Sequence, residues 1–481
     1  MSKFYITNAI PYVNAKPHVG HALEFIQSDV IARWHKIQGD EVLLLCGGDE
    51  NALKNVQAAE KAGENIQEFV DKNTQLFYEL AKQLNITFDV WQKGSSPQHH
   101  ASSQKLWELC DKNGDIYKKS YTGLYCVGCE LFYEPDELNE NGECFEHPGK
   151  KLEEVSEENY FFKLSNYSKQ IEELLEKDIL QITPESRKNE ALSFVRQGLK
   201  DISISRSNTR AKNWGVPVPG DDSQRMYVWF DALNIYQSGV GFGWDETLYK
   251  KWWPADVHVI GKGITKFHAI YWPAFLLSAG LQIPKSLFVH GYFTVNGQKM
   301  SKSLGNVVDP LEMVGKYGTD AFRYYVLSNI PSTADGDFSE ERLKEVYNAD
   351  LANGIGNLIS RVAKLCESAN YIEMGSVSRI SGHIMDVDEY SSALSEYRFH
   401  DALSFVWKKI AKLDKYINDE KPWVLLKDDN PQIKEILAHS VDQIQEIAGL
   451  LEPFLPETAE KIEKQFKGPK IVSQNPLFPR L

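Results

Sequence analysis

The chain has 481 residues, 42% hydrophobic and 25% charged, which is ordinary for two or three globular domains with cores of their own. Its 53 Lys and Arg stand against 67 Asp and Glu, a net charge of −14 that excludes a bulk polybasic nucleic-acid binder but leaves room for a local basic face. No apolar run reaches the roughly 18 residues of a membrane span, and Met1-Ser2-Lys3 leads into Phe4-Tyr5-Ile6 without a signal-peptide core, so a soluble, cytoplasmic protein is expected.

The first fifty residues predict strand, helix, strand. Phe4 to Ile10 reads as a short apolar strand ended by Pro11. From Val19, apolar Leu23, Ile26, Val30, Trp34 and Ile37 recur at helical spacing, and Gly39 is a natural stop. Glu41 to Cys46 reads as a buried strand broken at Gly47-Gly48. Such a βαβ unit implies a doubly wound, Rossmann-like parallel sheet. Helical patterns continue to about residue 84, with mixed segments to 116. Residues 117–224 are turn-rich and acidic and read as a connective insertion between the halves of the sheet (1–116 and 225–345). The α/β rhythm returns with strand-like Met226 to Trp229, strand Val257 to Ile260, a helix from Thr265 to Ala279 and strand Leu287 to His290. Asn296-Gly297 signals a hairpin turn. Residues 346–481 lack strand patterns and predict an all-α bundle.

Several clusters carry chemistry. Pro17-His18-Val19-Gly20-His21 lies between a strand and a helix N-terminus, where backbone N–H groups and the helix dipole favour phosphate. Lys299-Met300-Ser301-Lys302-Ser303 follows the hairpin, and two lysines three apart can neutralise charge developing on a triphosphate. Cys126-x-x-Cys129 and Cys144-x-x-His147 have the number and spacing of ligands in a closed tetrahedral zinc site. With four protein ligands, that zinc would be structural, one per chain, in a knuckle at about 126–147. Few cysteines outside this cluster, in apolar settings, agree with a reducing compartment.

The two signatures resemble those of class I aminoacyl-tRNA synthetases, and the wider pattern resembles the methionyl-tRNA synthetase family. Its stretches are Ala9-Ile10-Pro11-Tyr12, Tyr227 to Ala232, Phe267-His268 with Tyr271-Trp272-Pro273-Ala274, Val289 to Tyr292, Asn357 to Arg361 and Lys421-Pro422-Trp423. The resemblance runs nearly end to end. It implies a ligase that activates L-methionine with ATP and Mg2+, then esterifies the 3′ end of methionine tRNA. It places His18, Gly20, His21, Gly261, Lys299 and Lys302 at the nucleotide. It sets Asp49 against the substrate ammonium, with Ile10, Tyr12, Trp229, Ala232, Tyr236, Ile264 and His268 around the thioether. It assigns Asn353, Asn357, Arg361, Pro422 and Trp423 to the anticodon.

Three departures stand out. Asn51 occupies a position where members often have His, Gly263 one where many carry an Asp thought to hold the ATP ribose, and Asn208 to Lys212 reads as extra residues. In the bundle, Asn353, Asn357 and Arg361 recur every four residues and are expected on one face, while Lys408, Lys409, Lys412 and Lys415 form a basic stripe. A class I enzyme for cysteine would use an open zinc to bind substrate, which a closed Cys₃His site opposes. A silent tRNA-binding scaffold would not need both signatures. Because the sequence ends soon after the bundle, a monomer is expected.

Overall fold

Residues 2–126, 131–133, 135–144, 149–300, 305–372 and 388–481 are described by the computed structural model. Its centre is strand β1 (Lys3–Asn8), whose last four residues are buried. With β2 (Glu41–Gly48), β3 (Val90–Lys93), β4 (Gln181–Thr183), β5 (Val257–Gly261) and β6 (Ser286–His290) it forms one parallel sheet, in the order β3-β2-β1-β5-β6-β4. The chain winds one way from β1 to β3 and the other way from β5, so the crevice beyond the carboxyl ends of β1 and β5 is the topological switch point. Helix α1 (Val19–Ile37) follows β1 and ends near Gly39, whose φ of 89° fits a helix stop.

Three local readings change. β2 runs through Gly47 and Gly48, because these residues pair with Gln92 and Lys93 of β3. A Cβ on Gly47 would collide with the Gln92 carbonyl, so the glycine permits close strand approach and does not break the strand. Tyr227 ends the extended segment, and Val228–Ala232 is a short helix. A four-residue apolar run carries no period that separates the two states. β4, inside the stretch read as an insertion, pairs with β6 and closes the edge of the parallel sheet.

The insertion proper is a four-stranded sheet built on Ile116–Cys126 and Glu153–Phe162, antiparallel from Ile116↔Phe162 to Tyr125↔Glu153. Asn208–Ala211 forms a short helix, and Lys212 after it pairs with Glu60 of the catalytic domain. Beyond β6 a hairpin joins Phe293–Val295 to Gln298–Lys299, with φ of 51° at Asn296 and 76° at Gly297, as a type I′ turn requires.

The C-terminal region is helical, including Asn357–Ser368, Phe399–Glu420 and Ile433–Leu451. Val362, Val406, Ile410, Val441 and Ile444 are buried between these helices, and their core is continuous with that under the parallel sheet. Fully buried Arg323 locks the junction. It pairs with Asp29 of α1 at 2.7 Å and donates to the carbonyls of Leu84, Pro453 and Phe454. Among the described residues no helix is long and apolar enough to cross a membrane.

Candidate active site

His18 caps α1. Its Nδ1 accepts from the Gly20 N–H at 3.1 Å, while its own backbone N–H donates to His21 Nδ1 at 3.1 Å. Each Nδ1 is therefore an acceptor, which places the ring proton on Nε2 and makes both imidazoles neutral Nε2–H donors. Burial, then the neighbouring His18 and His290, lower the His21 pKa well below its ordinary value. The rings lie 3.9 Å apart. A Cβ on Gly20 would come within 2.9 Å of the His18 ring, so the glycine is required by this packing. The helix start thus offers donors and a dipole without fixed charge, a setting suited to phosphate.

Beneath it lies a buried network that sequence reading did not assign. Glu24, one turn beyond Gly20, takes 2.6 Å and 2.8 Å contacts from Asn8 of β1 and His290 of β6. Ser28 donates to Asn8 at 2.8 Å. These bonds tie α1 to strands on both sides of the switch point and fix the crevice floor. A glutamate on the apolar face of α1 was the available signal, since such a residue is buried only with partners.

The lysine hairpin lies over the histidine turn. The Met300 methyl is 4.0 Å from where a Cβ on Gly20 would stand, and Val19 donates to the Val308 carbonyl at 3.2 Å. The backbone of Lys299 belongs to the hairpin strand. Lys302 lies outside the described residues. Gly261 ends β5, and a Cβ there would sit 3.5 Å from His290 and 3.8 Å from Tyr292.

On the other side of β1 is an aromatic enclosure. Trp229 stacks on Phe267 at 3.6 Å and 5°, and meets Tyr12 edge-on at 6.3 Å. The His268 Nδ1–H donates to the Ile264 carbonyl at 2.9 Å, so its Nε2 accepts from the Tyr236 hydroxyl at 2.7 Å. Burial pulls the His268 pKa down to about 4 and raises that of Tyr236 well above its ordinary range. Ile10, Ile264 and Ala232 pack in the same apolar cluster. Asp49 is buried beside Tyr12 through a parallel bridge, and Lys54 Nζ lies 3.0 Å from the Tyr12 ring centroid. Phe267 and Lys54 were missed as site residues, although Phe267 stood in a quoted motif. Asn51 donates to buried Asp231 at 2.5 Å and to the Gly94 carbonyl at 2.8 Å, so it anchors a carboxylate beneath the pocket.

Cys126 and Cys144 are buried with Sγ atoms 3.3 Å apart. That is nearer the roughly 3.8 Å of two thiolates sharing a tetrahedral zinc than the ~2.0 Å of a disulfide. Cys129 and His147 lie outside the described residues. The two thiols fit half of the expected ligand set.

In the bundle, Asn357 and Arg361 start one α-helix, but Asn353 precedes a non-helical Gly354 (φ −83°, ψ −105°). The four-residue spacing therefore does not place Asn353 on the same face. Arg361 pairs with Asp414 at 2.7 Å and donates to Asn418 at 3.0 Å. Pro422 is buried at the start of its helix, while Trp423 is 37% exposed. Lys409 turns toward Glu446 at 2.8 Å, which leaves Lys408, Lys412 and Lys415 as the exposed stripe.

Residues 4–363 match the family described as tRNA synthetases class I (M). The chain is 42% identical over 471 residues to the methionine–tRNA ligase of Thermotoga maritima, covering 96% of this chain and 74% of that one. It is 39% identical over 509 residues to that of Brucella suis biovar 1, covering 99% and 98%. Mycobacterium tuberculosis methionyl-tRNA synthetase in complex with methionyl-adenylate superposes with a TM-score of 0.92 at 35% identity, covering both chains in full. The free-state structure of that enzyme gives 0.84 over 100% of this chain and 98% of that one. With a donor-rich helix start on one side of β1 and a buried aromatic enclosure on the other, and this similarity over the whole length, the chain belongs to the methionyl-tRNA synthetases of class I.

Proposed function

We propose the following division of labour within a methionine–tRNA ligase. Methionine enters the enclosure of Tyr12, Trp229, Tyr236, Phe267 and His268, where a polarizable thioether meets aromatic faces and a neutral imidazole. Asp49 at its edge takes the ammonium through a charge-assisted hydrogen bond. ATP lies in the crevice with its phosphates at His18, Gly20 and His21 and under Lys299 and Lys302. The methionine carboxylate attacks the α-phosphate in line, pyrophosphate leaves, and a ribose hydroxyl at the tRNA 3′ end then displaces AMP. Mg2+ enters with ATP and supplies charge neutralisation on the departing pyrophosphate. The histidines donate hydrogen bonds, and the lysines follow the charge as it moves.

The observation that carries this reading is the reciprocal histidine cap packed under the Met300 hairpin. ATP–pyrophosphate exchange run over all twenty amino acids tests it. Exchange should require methionine, and exchange with another amino acid in preference to methionine would overturn the assignment.

The thiol cluster is proposed to hold one structural zinc through Cys126, Cys129, Cys144 and His147. Metal analysis should find about one zinc per chain, and Cys144→Ser should lose it while the parallel sheet stays folded. Unchanged zinc content in that variant would refute the ligand set. Anticodon contacts are proposed for Asn353, Asn357, Arg361, Pro422 and Trp423, with Lys408, Lys412 and Lys415 meeting phosphates.

A further inference from the structure

Gly263 lies between two parts of the site. Gly261, two residues before it, ends β5 at the crevice, and Ile264, the next residue, bonds His268 through its carbonyl. The space that a side chain at 263 would fill is taken by the Tyr292 hydroxyl, and the ring carbon bearing that hydroxyl is 3.0 Å from where a Cβ would stand. The Tyr292 ring comes from the turn after β6, across the crevice floor. Its backbone N–H donates to Asp335 at 2.8 Å, Asp335 pairs with Lys262 at 2.7 Å, and Lys262 Nζ is 4.9 Å from the ring centroid. A Cβ on Gly291 would collide with the Ala334 carbonyl and so displace this clamp. The phenol is built into its position from both ends, yet Tyr292 remains 37% exposed.

We propose that the Tyr292 hydroxyl is a positioning group for the ribose of ATP and of the adenylate. This rests on the assignment of the crevice to ATP. Phosphates at the start of α1 and an aminoacyl group beside Ile264 leave the sugar and the base of an aminoacyl-adenylate, and the sugar, bonded directly to the phosphate, is the part that reaches the ends of β5 and β6. Gly261 leaves room for that sugar to approach the backbone, and the phenol supplies a donor and an acceptor in the place that a side chain at 263 would fill. A ribose hydroxyl can exchange one hydrogen bond with it without any ionised partner.

The test compares ATP with 2′-deoxy- and 3′-deoxy-ATP in methionine-dependent pyrophosphate exchange. In Tyr292→Phe the KM for ATP should rise about five- to tenfold, the scale of one hydrogen bond to a substrate hydroxyl, with kcat and methionine KM nearly unchanged. Discrimination against one of the two deoxy analogues should fall by the same factor. Gly263→Ala, whose methyl displaces the hydroxyl, should lose that same discrimination, and the double variant should lose no more than either single one. Equal discrimination in wild type and Tyr292→Phe would overturn the proposal while leaving the active-site assignment standing. An enzyme that shows no methionine-dependent exchange with ATP would overturn both.

Discussion

The catalytic crevice and the side of the bundle proposed to meet the anticodon are built in opposite ways. In the crevice the polar groups are buried and hold one another. His18 accepts from Gly20 and donates its backbone N–H to His21, Glu24 joins Asn8 to His290, and Tyr236 donates to a neutral His268. Little is left to reorganise when substrate arrives, which is the condition for stabilising a transition state. On the bundle, Asn353, Asn357 and Trp423 are exposed and Arg361 is tied to Asp414 and Asn418 at its rim. Such a surface can adapt to a splayed loop. Changes in the crevice should therefore act on rate or on folding, and changes on the bundle on tRNA alone.

The sharpest test removes a phosphate donor. His21→Ala and Lys302→Ala should each lower the rate of adenylation by about two orders of magnitude or more, equivalent to a few kcal/mol, with methionine KM little changed. Pyrophosphate exchange measures both quantities. If either variant lost only methionine affinity, the division between the phosphate turn and the aromatic enclosure would collapse.

A second test uses the neutrality of the enclosure. Burial brings the His268 pKa from 6.5 down to about 4. Below the ordinary value the unfolded chain takes up a proton that the folded chain refuses. Stability is thus fully present above pH 6.5 and falls as the pH drops toward 4. The whole window is worth at most about 3 kcal/mol from this residue. Urea unfolding at several pH values should show the slope, and His268→Gln should flatten it without abolishing it, because burial also depresses His21 and His258. An unchanged slope would mean that His268 is solvated or paired in a way its two hydrogen bonds do not show.

What the sequence revealed follows the same division. The βαβ start, the parallel strands Val257–Gly261 and Ser286–His290 and the Asn296-Gly297 turn were legible because period and turn chemistry are local. β4 was not, since Gln181–Thr183 has three residues and one buried side chain, too few for any period. Glu24 and His290 are 266 residues apart, and only folding reveals that they meet. The insertion was read as one piece because its composition shifts at 117, yet a short edge strand within it completes the catalytic sheet. The spacing of the cysteines marked the proposed thiol cluster, of which Cys126 and Cys144 meet among the described residues, whereas the Tyr292 contact over Gly263 left no such sign, because a missing side chain leaves no mark on who fills its place. Asn353 was misplaced on its face for a related reason. A spacing argument assumes an unbroken helix, and Gly354 breaks it.

The smallest expected effect separates the two regions most cleanly. Trp423 follows buried Pro422 at the first turn of its helix, and that helix packs against Asn357–Ser368. Pro422 fixes the backbone at the turn and leaves the indole 37% exposed. An indole so placed can stack an unpaired base, worth about 1–3 kcal/mol by alanine substitution. Trp423→Ala should therefore reduce kcat/KM for tRNA about tenfold or more while pyrophosphate exchange stays near wild type, since adenylation precedes any contact with the anticodon. Were the indole a core residue, its removal would cost roughly 3–5 kcal/mol of stability through the cavity left behind. At the observed exposure the loss should be smaller than that, because the solvent-facing part of the ring contributes no packing. A thermal melt and a charging assay on the same preparation decide the matter. A protein that melts far below wild type yet charges tRNA normally at low temperature would return Trp423 to the core and overturn its assignment to the anticodon.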